Sequence, residues 1–216
     1  MIVWLASFPR SGNGFFRVVS RTLFSQEIHS IYPEKNKPVN AAELQRMQRD
    51  DRIYLVKTHE LPIDTSPAIY LVRDGRDSLV SLAWFHLTSQ NEPHRNIAPG
   101  KFKKKLQKEI NSKAFGGWSG NCLSWTQRDY QTVVVRFEDL TSRPENVVGK
   151  ALEDINVYSQ RTERSEPPTF EQLQHQNLFL YRKGQSGDWR NQMSEELHEL
   201  FWQKHGEAMR ALDYEE

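Results

Sequence analysis

Four short apolar runs dominate the pattern of this sequence: Ile2–Ser7, Ile53–Val56, Ala68–Val72 and Thr132–Phe137. None has a helical period, the last is rich in β-branched residues, and each stops against polar or charged neighbours, so all four read as strands. Between and after them come stretches with helical spacing. Phe15 to Phe24 is one, and Asp77 to Leu87 is another. Asn40 with Glu43 forms a capping box that opens a helix to about Arg49, and Pro144 suits the first position of a helix reaching about Ile155. Phe102 to Ile110 and Phe115 to Arg128 also read as helices, and Ser194 with Glu195 and Glu196 begins a last one to about Leu212. Residues 89–100 and 161–169 are polar and hold Pro93, Pro99, Pro167 and Pro168, so the first reads as a loop and the second as a loop or flap. Apolar strands alternating with helices predict an α/β fold with a parallel central sheet flanked by helices. Ligands of such sheets lie outside the carboxyl ends of the strands.

Size and charge narrow the field. A chain of 216 residues suits one domain, 1–216, with a substantial core. The formal net charge of +1 points to neither nucleic acid nor a membrane surface, so an anion site must be local. Cys122 is the only cysteine, which excludes an internal disulfide and fits a reducing, cytoplasmic setting. Pro9 and Arg10 interrupt the first apolar run too early for a secretory signal, and no run approaches the ~20 apolar residues of a membrane span. No metal is expected, since no Cys/His/Asp cluster has ligand spacing.

Chemistry concentrates at four places. After the first strand, Phe8-Pro9-Arg10-Ser11-Gly12-Asn13-Gly14-Phe15 joins a strand to a helix N-terminus. Such a loop aims backbone N–H groups at one point, and Arg10 adds a fixed cation. The loop lacks the G-x-x-x-x-G-K-[ST] spacing of a Walker loop, and its glycines alone are equally compatible with a simple turn. Lys57-Thr58-His59 ends the second strand, and a near-neutral histidine there is placed to accept a proton from an attacking hydroxyl. Arg73-Asp74-Gly75-Arg76-Asp77 ends the third, with Arg73 able to fork onto a phosphate and Ser81 two turns along the helix, unless the charges pair with one another. Finally, Arg182-Lys183-Gly184-Gln185-Ser186-Gly187-Asp188-Trp189 suits a loop closing over a polyanion, and Trp189 is out of place in a merely solvated loop.

These four motifs in this order resemble the cytosolic type of sulfotransferase that uses 3'-phosphoadenosine 5'-phosphosulfate (PAPS). The likeness runs from residue 2 to about 190, is loose over 87–130, and matches R-K-G-x-x-G-D-W at every fixed position. It implies a P-loop-like α/β fold, PAPS as co-substrate, PAP as product and no metal. Arg10, Ser11, Gly12, Asn13, Gly14 and Phe15 would then bind the 5'-phosphosulfate end, with Phe15 beside the adenine. His59 would be the general base, assisted by Lys57 and Arg10. Arg73, Ser81, Arg182, Lys183 and Gly184 would hold the 3'-phosphate, and Phe170 would cover the adenine. Arg10 replaces the family's usual lysine, Asn13 and Gly14 its paired threonines, and Phe137 a common tyrosine.

The implied reaction passes a sulfuryl group to a hydroxyl, or an amine, of a small-molecule or glycan acceptor. Two other readings are a P-loop-type kinase, disfavoured by the missing Walker lysine, and a non-catalytic nucleotide-binding protein of the same fold. The lysines 101, 103, 104, 105 and 108 read better as a solvated helix face than as a glycan patch. Trp84, Phe85, Phe115, Trp118 and Trp125 read either as an acceptor pocket or, at helical spacing, as core.

Overall fold

A computed structural model describes residues 1–34, 37–88, 97–157, 166–177 and 181–216. Five strands, β1 (Ile2–Ser7), β2 (Ile28–Ser30), β3 (Tyr54–Thr58), β4 (Ala68–Val72) and β5 (Thr132–Arg136), form one sheet in the order β2-β3-β1-β4-β5. Every neighbouring pair is parallel. β1 and β4 are buried along their whole length, which is why they read as unbroken apolar runs.

The period of two then divides the core between the faces. Ile2, Trp4 and Ala6 join Val56, Tyr70, Val72, Trp118, Trp125 and Phe201 on one side. Val3 and Leu5 join Leu55, Ile69, Leu71, Phe16, Leu23 and Leu152 on the other. The second side carries α1 (Asn13–Phe24) and α7 (Pro144–Asp154). The first carries α2 (Ala41–Arg49), α3 (Gly75–Leu87), α4 (Pro99–Ile110), α5 (Gly117–Thr126) and α9 (Glu195–Ala211). Two short helices, α6 (Phe137–Ser142) and α8 (Phe170–Gln176), complete the set among the described residues. None of these helices is long and apolar enough to cross a membrane.

Departures from the sequence reading have local causes. α1 starts at Asn13, two residues early, because Gly12 turns the chain at φ 97°. An alanine Cβ there would also stand 2.7 Å from the Phe137 ring, so Gly12 serves both conformation and close packing. α3 starts at Gly75, where the Asp74 carboxylate caps the Arg76 N–H at 2.8 Å. α4 starts at Pro99, a residue assigned to the preceding loop. The second strand runs Tyr54–Thr58 rather than Ile53–Val56, since its ladder with β1 continues to the pair Ala6 and Thr58. Phe137 leaves the last strand and opens α6. In place of one helix from Phe115, a 3₁₀ turn (Ala114–Gly116) precedes α5. β2 is too short to leave a pattern, whereas the capping box of Thr169 and Gln172 was a missed signal for α8. The loop assignments at 89–96 and 161–165 lie outside the described residues.

Candidate functional site

The parallel register brings the expected clusters to one edge. Ala6 lies level with Thr58 and Ser7 with Leu71, so the segments after β1, β3 and β4 emerge side by side. Between β1 and α1 the chain turns through Arg10 at φ 70° and Gly12. The N-terminus of α1 has no side-chain cap, which leaves its first N–H groups directed outward. Asn13 faces inward instead: its amide nitrogen donates to the Leu5 carbonyl and the Ser7 hydroxyl, both at 3.2 Å. Its side chain therefore ties the loop to β1, and what it offers a ligand is its backbone. Ser11 is buried with its hydroxyl 3.4 Å from that of Ser78.

His59 is held from every side. Its Nδ1 lies 2.8 Å from the Ser7 carbonyl, which only accepts, so Nδ1 carries the hydrogen and Nε2 keeps the basic lone pair. The backbone N–H donates to the Tyr32 hydroxyl at 2.9 Å, and the Tyr32 ring lies 5.3 Å from the imidazole. Burial, with help from the nearby Lys57 and Arg10 charges, lowers its pKa to about 4, against the pull of the Ser7 carbonyl. The imidazole is thus neutral near pH 7, the form a base requires. Lys57 stands beside it with Nζ 2.5 Å from Glu34, which also accepts from Arg17 at 2.6 Å. Tyr32 and Glu34 lie in a segment to which the sequence reading gave no role.

Next to this base three guanidinium groups converge. Arg10 Nε donates to Ser81 at 3.2 Å, and its head lies 4.9 Å from the Phe85 ring centre. Burial first, then the charges of Arg73 and Arg182, lower the Arg10 pKa to about 10. Arg73 donates to the carbonyls of Arg10 and Gln185 at 3.2 and 2.9 Å and stacks over Phe137 at 4.2 Å. Phe137 thus keeps an aromatic ring beneath the cation while lacking the hydroxyl of a tyrosine. The buried Nε atoms of Arg73 and Arg182 have no hydrogen-bond partner among the described residues. Asp188 beside Arg182, and Asp77 and Glu138 near Arg73, offset part of this charge, and the unspent Nε donors suit a further anion.

The R-K-G-x-x-G-D-W segment closes this corner. Asp188 pairs with Arg182 at 2.9 Å and Lys183 at 2.7 Å, so within the motif one carboxylate gathers both cations. Asp77 accepts from the N–H groups of Gly187 at 2.6 Å and Trp189 at 2.9 Å. Trp189 packs against the Arg76 guanidinium at 4.0 Å and stacks parallel to the His198 ring at 4.9 Å, with Arg76 and His198 themselves 3.4 Å apart. The segment is therefore anchored to the start of α3. Gly184 (φ 64°) lies flat against Phe170, where any Cβ would collide with the ring. Phe170 in turn meets Phe15 edge-on at 6.2 Å. Phe15 itself is buried at 4 % exposure and presents little more than an edge. Gly14 faces the Tyr181 hydroxyl.

The five tryptophan and phenylalanine candidates divide. Trp118 and Trp125 are core, Trp84 stacks on Phe102 at 4.4 Å, and only Phe85 and Phe115 reach the site, beside Arg10 and His59. Lys103 pairs with the exposed Glu196, whereas Lys105 pairs with the buried Glu109.

A family model for the sulfotransferase domain matches residues 3–213. The chain belongs to the sulfotransferase family. Among curated relatives, Sulfotransferase 1 family member D1 of Mus musculus is 26% identical over 68% of this chain, and Sulfotransferase 1B1 of Canis lupus familiaris 25% over 73%. These alignments span 59% and 62% of the relatives' own lengths. A crystal structure of mouse sulfotransferase SULT7A1 complexed with PAP has the same fold, with a TM-score of 0.73 at 18% identity, covering 98% of this chain and 84% of that one. Retinol dehydratase in complex with androsterone and inactive cofactor PAP gives 0.63 at 17% identity, covering 100% of this chain and 82% of that one.

Proposed function

We propose that the chain is a sulfotransferase that passes the sulfuryl group of PAPS to an acceptor hydroxyl. The observation that carries this reading is the meeting of a neutral, oriented His59 with the Arg10, Arg73 and Arg182 cluster, two of whose Nε donors are unspent. A ligand with anions at two ends fits this arrangement: the open helix N-terminus with Arg10 serves one, and Arg73, Arg182 and Lys183 serve the other. Membership of the family and the PAP complex of a relative in fold support the same choice of nucleotide.

In the reaction the acceptor O–H gives its proton to His59 Nε2 while its oxygen forms the new bond to sulfur. The bond from sulfur to the bridging oxygen breaks, and that oxygen leaves with the electron pair on PAP. Such a transfer is loose and in-line, so the protein contributes position and positive charge. Arg10 and Lys57 supply that charge, Lys57 exchanging its Glu34 contact for the sulfuryl oxygens. A small-molecule acceptor at His59 would meet the ring surfaces of Tyr32 and Phe115, which flank the imidazole at 5.3 and 6.0 Å.

The donor assignment is tested by calorimetry without magnesium. PAP should bind at least ~10-fold tighter than ADP, the worth of one charge-assisted hydrogen bond of about 1.5 kcal/mol to the 3'-phosphate. Equal affinities, or binding only with magnesium and a preference for ATP, would favour the kinase reading.

A further inference from the structure

We propose that Asn121 is a positioning residue for the reaction: one buried amide fixes both the peptide that carries His59 and the aromatic side chain that faces it. The idea rests on the reading of His59 as the base. Asn121 has no exposed surface. Its Nδ2 donates to the His59 carbonyl at 2.8 Å and to the Phe115 carbonyl at 2.9 Å. Carbonyls only accept, so the orientation of the amide is settled, and its oxygen takes the proton of Tyr70 at 2.9 Å. Tyr70 lies fully buried in β4 and also reaches Cys122 Sγ at 3.3 Å. A chain of side chains thus runs from the buried centre of the sheet to the peptide that carries the base.

The Phe115 carbonyl held by Asn121 belongs to backbone that needs neighbours to keep it in place. Phe115 adopts φ 56°, and Gly116 and Gly117 follow at 85° and 68°. Conformations of this kind persist where neighbours impose them. Phe115 then meets the His59 ring edge-on at 6.0 Å. On the histidine side, the Nδ1–H bond to Ser7 has its correct length only while the peptide of residue 59 keeps its orientation. Without Asn121 the His59 carbonyl loses its partner and that peptide is held through its Glu60 N–H bond to Thr58 Oγ1 at 3.0 Å, so it tilts, the Ser7 bond lengthens, and the preference for the tautomer with a basic Nε2 is weakened. Misplacing a reacting group by ~1 Å is enough to cost on the order of 100-fold in rate.

Asn121→Ala and Tyr70→Phe test this with two independent readouts. One is turnover per PAP-binding site; the other is the long-range ¹H–¹⁵N spectrum of His59 in the PAP complex, which reports its tautomer. Both variants should bind PAP within about threefold of the parent. Asn121→Ala should lose ~100-fold in turnover per site and show His59 as a mixture of tautomers, with Tyr70→Phe shifted in the same sense but less. An unchanged His59 spectrum in Asn121→Ala, or turnover within twofold of the parent, overturns the proposal. Should Asn121→Ala not fold, Tyr70→Phe with an unchanged spectrum overturns it as well. A parent protein that transfers no sulfuryl group would sink the functional reading alone, since the spectrum still decides the role of Asn121.

Discussion

Replacing His59 with alanine should leave PAP affinity within about twofold of the parent and lower turnover by ~10²–10⁴-fold, the usual worth of a positioned base. Two features make so clean a separation expected. The imidazole touches Ser7, Tyr32 and Phe115, not the guanidinium cluster, so its removal spares the anion contacts. Its Nδ1 is also committed to the Ser7 carbonyl, which leaves Nε2 as the one nitrogen that could take the proton. The pH dependence follows from a pKa of about 4, lowered from 6.5. In the free enzyme kcat/KM should be flat above about pH 5 and fall toward pH 4 as the base is protonated. Stability carries the same signature. The unfolded histidine takes its proton near 6.5 while the folded one resists to about 4, so the contribution of His59 is full above 6.5 and lost as the pH falls through that window. Denaturant melts of parent and variant should therefore converge as the pH is lowered. Turnover unaffected by the substitution would remove His59 from the mechanism.

Arg73→Ala should act on the other end of the nucleotide. A buried cation that engages a phosphate is worth about 2–5 kcal/mol when its partner is left behind, so PAP affinity should fall at least ~30-fold. ADP lacks the 3'-phosphate, and its affinity should stay within about threefold. That comparison is also the control for folding, because Arg73 donates to the Arg10 and Gln185 carbonyls and its loss loosens the corner. PAP and ADP weakening together would mean that Arg73 supports the fold of the site and does not read the 3'-phosphate.

The sheet was legible because its strands are buried on both faces and so leave apolar runs of distinctive length. Ala68–Val72 was read to the residue. β2 was not, since three residues at an edge carry too little pattern. The charged ends of the strands were legible because a parallel sheet collects them at one edge, and their order gave the family. What escaped was the set of residues acting through others. Asp188 stood inside a quoted motif without a role, although a carboxylate one step from a closing glycine was there to be paired with Arg182 and Lys183. Asn121 lies three residues after Trp118 and four before Trp125, a polar residue on an apolar helix face, and that was the available signal. Glu34 and Tyr32 gave none: they follow β2, their partners Lys57 and His59 lie at the end of β3, and only the fold brings them together.

Transfer of a sulfuryl group from PAPS to a hydroxyl held at His59 can be followed with PAPS labelled in the sulfuryl group and a panel of small phenols, alcohols and amines. PAP should appear in step with labelled product, for a hydroxyl acceptor in preference to an amine, and His59→Ala should abolish the acceptor-dependent part. PAPS that binds yet is converted no faster with any acceptor than in the His59→Ala protein would contradict this transfer, and would leave a nucleotide-binding protein in place of an enzyme.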